Sequence, residues 1–171
     1  MHCHRNPMSM FQAKCLGSAL YLSIMTAAYG SSDFGMRGIT ISNISELAPQ
    51  RIKELANQNS AEAQLQIANI ILAWHIAYRA YNKHEIDVEV MRPNVPEEAA
   101  VESAERSALL AVSAGDFPAE AAGFLASYFR EVDGAGKLEM QLVKCWLEVE
   151  QITDPKDGKA LEMVKKCIEL R

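Results

Sequence analysis

A spaced run of small residues sets the closest helix approach that this chain has to make. Ala104, Ser107, Ala111, Val112, Gly115 and Asp116 precede Pro118-Ala119-Glu120-Ala121, which opens the next amphipathic segment. Small side chains at helical spacing let two backbones cross closely. A Gly at the end of the first helix supplies a positive φ, and an Asp suits the cap of the second. The stretch predicts a joint between two packed helices, and its surroundings read as all-α.

Apolar periodicity places six helices around that joint. The first is expected from about Ser45 to Asn57, with Leu47, Ile52, Leu55 and Ala56 on one face and Pro49 tolerated near the first turn. Ser60 caps a second helix running to about Asn82. Its Ile67, Ala68, Ile70, Ile71, Leu72, Trp74, Ile76, Tyr78 and Tyr81 cover nearly the whole circumference, the pattern of a buried central helix. The third is expected from near Pro96 to Gly115, with Glu97 and Glu98 in its first turn, and the fourth from Asp116 to about Val132. The fifth spans about Gly136 to Gln151 and carries Leu138, Leu142, Cys145, Trp146 and Val149. Asp154-Pro155 is read as the cap of the sixth, which offers Leu161, Val164, Ile168 and Leu170 for packing. Residues 31–44, with Gly35, Gly38 and Ile39-Thr40-Ile41, are expected to be an extended lead-in.

Between the second and third helices the period changes. Glu85-Ile86-Asp87-Val88-Glu89-Val90 alternates acidic and apolar residues, and Pro93 and Pro96 close it. Residues 83–95 therefore predict a strand or extended edge, and a connection this long in a small helical domain suits a binding element.

The joint and its neighbours resemble the Sel-one-like repeats, relatives of the tetratricopeptide repeats, whose pattern runs roughly A-x-x-W-x-x-x-A-A-x-x-G-(D/N/H)-x-x-A, then L-G-x-x-Y and a Gly-x-Gly turn. Ala104, Ala111, Gly115 and Asp116 fall in register, and Leu125-Ala126, Phe129, Gly134 and Gly136 follow its second half. Ser107 stands where the family has an aromatic residue, Val112 replaces the second Ala, one extra residue precedes Ala121, and Ala126 replaces a Gly. Ser60-Ala61-Glu62-Ala63-Gln64 with Ile67-Ala68, and Lys159-Ala160 through Cys167, echo the same pattern. The resemblance covers about residues 45–170. It implies a short right-handed stack of antiparallel helix hairpins that binds other proteins and does no chemistry.

At 171 residues, 49% apolar and 23% charged, the chain is long enough for one domain with a real core. A net charge of −5 without a basic cluster argues against nucleic acid and anionic membrane surfaces and favours a neutral or basic protein partner. Residues 15–32 carry no charge, follow Arg5 and Lys14, and end in small residues at Ala27-Ala28 and Gly30. Those are the parts of a secretory signal peptide over residues 1–30, leaving a helical domain over 45–171 in the periplasm, with no stable membrane insertion after cleavage. The alternatives are a cytoplasmic protein whose first helix is this segment, or an inner-membrane anchor at 15–32. After cleavage Cys145 and Cys167 remain, either as one disulfide in an oxidising compartment or as two buried thiols.

No G-x-S-x-G, H-E-x-x-H, G-x-G-x-x-G or G-x-x-x-x-G-K occurs, so neither catalysis nor a cofactor is expected. His2, Cys3 and His4 offer metal ligands only on a segment that export removes, and no metal site is expected. His75 and His84 are too far apart for a helical metal pair, which needs i, i+4 spacing. An enzyme reading rests on His75 or His84 beside Glu85 as acid and base. The stronger expectation is a partner-binding surface built from Glu85, Asp87 and Glu89, with Tyr78, Arg79 and Tyr81 as anchors. With the family resemblance, this implies an exported immunity protein that neutralises a cognate antibacterial effector, such as a type VI secretion phospholipase. A cell-envelope adaptor is the alternative.

Overall fold

In the computed structural model, which describes residues 38–131 and 136–171, six helices follow one another: α1 Ile44–Ala56, α2 Ala61–Asn82, α3 Glu98–Ala114, α4 Ala119–Glu131, α5 Lys137–Glu150 and α6 Gly158–Leu170. No strand occurs among the described residues. Each helix packs on the next in sequence, giving the all-α stack that the periodicity predicts. α6 packs on α3 as well as on α5, so α3, α4, α5 and α6 close into a four-membered ring, with α1 and α2 stacked on the α2–α3 side. The leader, His2, Cys3 and His4 lie outside the described residues.

α2 is the spine. Ala63, Ile67, Ala68, Ile70, Ile71, Ala73, Trp74, Ala77 and Ala80 are all buried, while Leu72, Tyr78 and Tyr81 sit half-buried at its margins. The small residues of α3 do what their spacing requires: Ala100, Ala104, Ser107, Ala108 and Ala111 are buried, and the Ser107 hydroxyl donates to the Ala61 carbonyl at the start of α2 (2.7 Å). Ser60 caps α2 by accepting from the Ala63 N–H (3.2 Å). Trp146, Val149, Val164 and Cys167 fill the ring and are fully buried.

Helix entries differ from the sequence reading in four places. Residues 40–43 turn instead of extending, because the Asn43 side chain accepts from the Thr40 N–H (2.6 Å) and donates to the Gly38 carbonyl (2.8 Å). Ile44 and Ala48 then join Leu55 in the core, Ala56 is exposed, and Pro49 lies in the second turn. α4 starts at Ala119, not at Asp116, since a residue before proline is pushed out of the α region and Phe117 precedes Pro118. α6 starts at Gly158: Asp154 closes the preceding turn on the Lys156 N–H (3.0 Å), and Asp157 caps the helix on the Lys159 N–H (3.1 Å). Leu138, expected in the core, is exposed at the start of α5.

Candidate protein-interaction surface

Residues 83–97 connect α2 to α3 as an irregular strap. The predicted strand does not form: the backbone bends at Glu85 and again at Asp87-Val88, and helices surround the segment, so it has no neighbouring strand to pair with. The alternation survives in weaker form. Val90 is buried and Ile86 half-buried, while Glu85, Asp87 and Glu89 are exposed; Val88, on the expected inner side, is also exposed.

Two helices pin the strap. The Trp74 indole N–H donates to the Met91 carbonyl (3.0 Å), and the Met91 N–H donates to the Ser45 hydroxyl oxygen (2.9 Å). Both polar backbone groups of Met91 are therefore satisfied by side chains from α1 and α2, while its own side chain stays 60% exposed. One residue further along α2, His75 uses Nε2 to reach the Val95 carbonyl (2.8 Å) and places Nδ1 3.8 Å from Glu97. Because a carbonyl only accepts, Nε2 carries the proton in this contact. Adjacent residues on a helix point about 100° apart, so Trp74 and His75 reach the strap at two places four residues apart.

Arg79, one turn beyond His75, pairs with the same Glu97 carboxylate. Tyr128 on α4 feels this cluster: burial, and then Glu97 and Glu98, raise its phenol above the ordinary value. α2 and the entry to α3 thus meet in a polar seam beside the acidic strap.

The residues singled out in the sequence divide into two groups. Glu85, Asp87, Glu89 and Arg79 are exposed, although Arg79 is committed to Glu97. Tyr78 and Tyr81 are packing residues, half-buried against the core. His75 is occupied by the strap, and His84 adopts a left-handed turn (φ 56°) at the end of α2. No side-chain hydrogen bond joins His75, His84 and Glu85 among the described residues. Sequence reading missed Ser45, Met91 and Glu97, whose partners lie 46, 17 and 18 residues away, separations at which no local pattern signals contact.

Two turns along α3 from Glu98, Glu105 is buried and accepts from Arg171 at the end of α6 (2.9 Å). Its other oxygen, Oε1, is buried without a partner, as is the Trp146 indole nitrogen. Burial raises the Glu105 carboxyl above its ordinary range, against the opposing pull of Arg171. Cys145 on α5 and Cys167 on α6 form a disulfide, with Cα atoms 5.7 Å apart. Among the described residues no helix is long and apolar enough to cross a membrane. Comparison with protein-family models, with curated proteins and with solved structures gives no match.

Proposed function

We propose that the chain is a non-enzymatic, exported interaction protein of the Sel-one-like kind, an immunity protein that occupies a cognate antibacterial effector through the strap between α2 and α3. The observation that carries this reading is the state of Met91. Its backbone is fixed from two helices, its apolar side chain projects outward, and Glu85, Asp87 and Glu89 precede it exposed on the same segment. An anchor held in place before binding loses little conformational freedom on binding, and surrounding carboxylates speed encounter with a basic surface. The Cys145–Cys167 disulfide supports export, because such bonds persist in oxidising compartments.

The test is capture of the C-terminally tagged chain from its native host, followed by inhibition assays with the purified pair. A bait shortened by its leader, bound to one stoichiometric hydrolase whose activity it blocks, is the expected result. Charge reversal at Glu85, Asp87 and Glu89 together should slow association at least tenfold at low salt. A stoichiometric partner whose activity is untouched points to the envelope adaptor instead. An uncleaved bait without a partner overturns both.

A further inference from the structure

α6 is held to the body by few groups of its own. Only Ala160, Val164 and Cys167 are fully buried along its thirteen residues; Leu161, Met163, Ile168 and Leu170 lie half-buried at its margins. Two specific ties supplement this packing. One is the disulfide from Cys167 to Cys145, and the other is Arg171 on the buried Glu105 carboxylate. By contrast, α2 buries eleven residues and is covered by α1, α3 and the strap. Regions with few buried apolar groups open at lower free energy than the rest of a fold.

We propose that α6 is a redox-latched helix, docked while Cys145 and Cys167 are joined and released when an external dithiol reduces them. Cys145 is the more exposed of the two, so the attacking thiolate bonds to its sulfur and the Cys145–Cys167 bond breaks. The electron pair leaves on Cys167, which takes up a proton. The second thiolate of the dithiol then displaces Cys145, which is also protonated, and the dithiol departs as its own disulfide. Two electrons and two protons have passed to the chain.

After reduction the two sulfurs no longer share a bond and move to van der Waals separation. Cys167 has no solvent-exposed surface into which to move, so the separation strains the α5–α6 contact. The remaining specific tie is the Arg171 pair, which carries the desolvation cost of Glu105 and its unpartnered Oε1. Release of α6 lets water reach Glu105, relieving its unpartnered Oε1, and opens the ring on the side of α5 that α6 covers. The disulfide closes a chain segment separated by 22 residues, which limits how far α6 can leave while it is intact.

Hydrogen exchange with mass spectrometry on the full chain tests this, comparing protein folded with its disulfide and the same sample after dithiothreitol. In the reduced sample, amides of residues 158–171 should exchange on the order of a hundredfold faster. Those of α2 and α3 should change less than about twofold, and reoxidation should restore α6. Unchanged protection in α6 overturns the proposal, and so does simultaneous loss of protection in all six helices. Because Cys145→Ser does not have to fold, reduction of protein that is already folded is the primary measurement. As a second check, Arg171→Ala with the disulfide intact should speed α6 exchange far less than reduction does; opening of α6 there to the extent seen on reduction would assign the latch to the ion pair and overturn it.

Discussion

His84 and Gly115 hold the same position in the same helix-ending turn. After α2, the Glu85 N–H donates to the Ala80 carbonyl (2.9 Å) and the His84 N–H to Tyr81 (3.0 Å); after α3, Asp116 donates to Ala111 (2.9 Å) and Gly115 to Val112 (3.1 Å). His84 and Gly115 are the left-handed residues, at φ 56° and 78°. Glycine adopts this region freely, whereas a residue with a Cβ is strained there by roughly 1 kcal/mol. The chain therefore tolerates at His84 a cost that it avoids at Gly115. His84→Gly should stabilise the fold by about 0.5–1 kcal/mol. Gly115→Ala should destabilise it by about 1–2 kcal/mol, since the added Cβ also meets the Lys156 side chain at 3.2 Å. Urea denaturation of both variants checks the pair, and a neutral result at both positions would remove the strain argument.

The clasp on Met91 gives a second prediction. Trp74→Phe removes the donor to the Met91 carbonyl, and Ser45→Ala removes the acceptor from its N–H. Each should cost about 1–2 kcal/mol. The amide of Met91 should lose exchange protection in Ser45→Ala while α2 and α3 keep theirs, because the loss is confined to the strap. Partner binding should weaken in both variants although neither removes an exposed side chain. An unchanged dissociation rate in both would show that the strap needs no clasp.

How far the fold could be read follows from which forces are local. The six helices and the buried role of α2 were legible because periodicity is written every three to four residues, and Ser60 marks its helix by a bond to Ala63 only three residues away. Asp116 and Asp154 misled at helix entries because each bonds elsewhere: the Asp116 N–H closes the end of α3 on the Ala111 carbonyl, and the Asp154 side chain accepts from the Lys156 N–H inside its own turn. The strap failed as a strand for a non-local reason: alternation at Glu85–Val90 describes sidedness, but pairing needs a second strand, and only helices are near. The Arg79–Glu97 pair and the Met91 clasp join separate elements, so their side-chain types were visible and their meeting was not.

Glu105 makes stability depend on pH in a known direction. Burial raises its carboxyl in the folded chain, so the folded state holds that proton more tightly than the unfolded state. Its contribution is fully present below the ordinary carboxylate range, and it is lost as pH rises through that range up to the raised value. Arg171→Ala removes the opposing pull, which should extend this loss to higher pH and cost about 1–3 kcal/mol at neutral pH. Glu105→Gln cannot ionise, so the difference between wild type and this variant isolates the effect. Denaturation midpoints measured from pH 4 to pH 8 should fall more steeply for wild type than for Glu105→Gln. Parallel curves would mean that the carboxyl titrates normally.

Ser107 sits at the crossing of α3 with the start of α2, where there is room only for a small side chain. Its hydroxyl lies 2.7 Å from the Ala61 carbonyl, and the residue is 3% exposed, between Ala104, Ala108 and the first turn of α2. α2 and α3 approach too closely there for a ring. Ser107→Ala should cost about 1 kcal/mol, the worth of one hydrogen bond, because the Ala61 carbonyl keeps its place in the helix. Ser107→Tyr has to push α3 away from α2 and should cost at least about 3 kcal/mol, beyond the usual penalty for an added methylene. Thermal melts of the two variants separate packing from hydrogen bonding: a small loss followed by a large one fits a close crossing. If Ser107→Tyr melts with wild type, the α2–α3 contact is loose enough to admit an aromatic ring, and the close approach inferred from Ala104, Ala108 and Ala111 does not govern this joint.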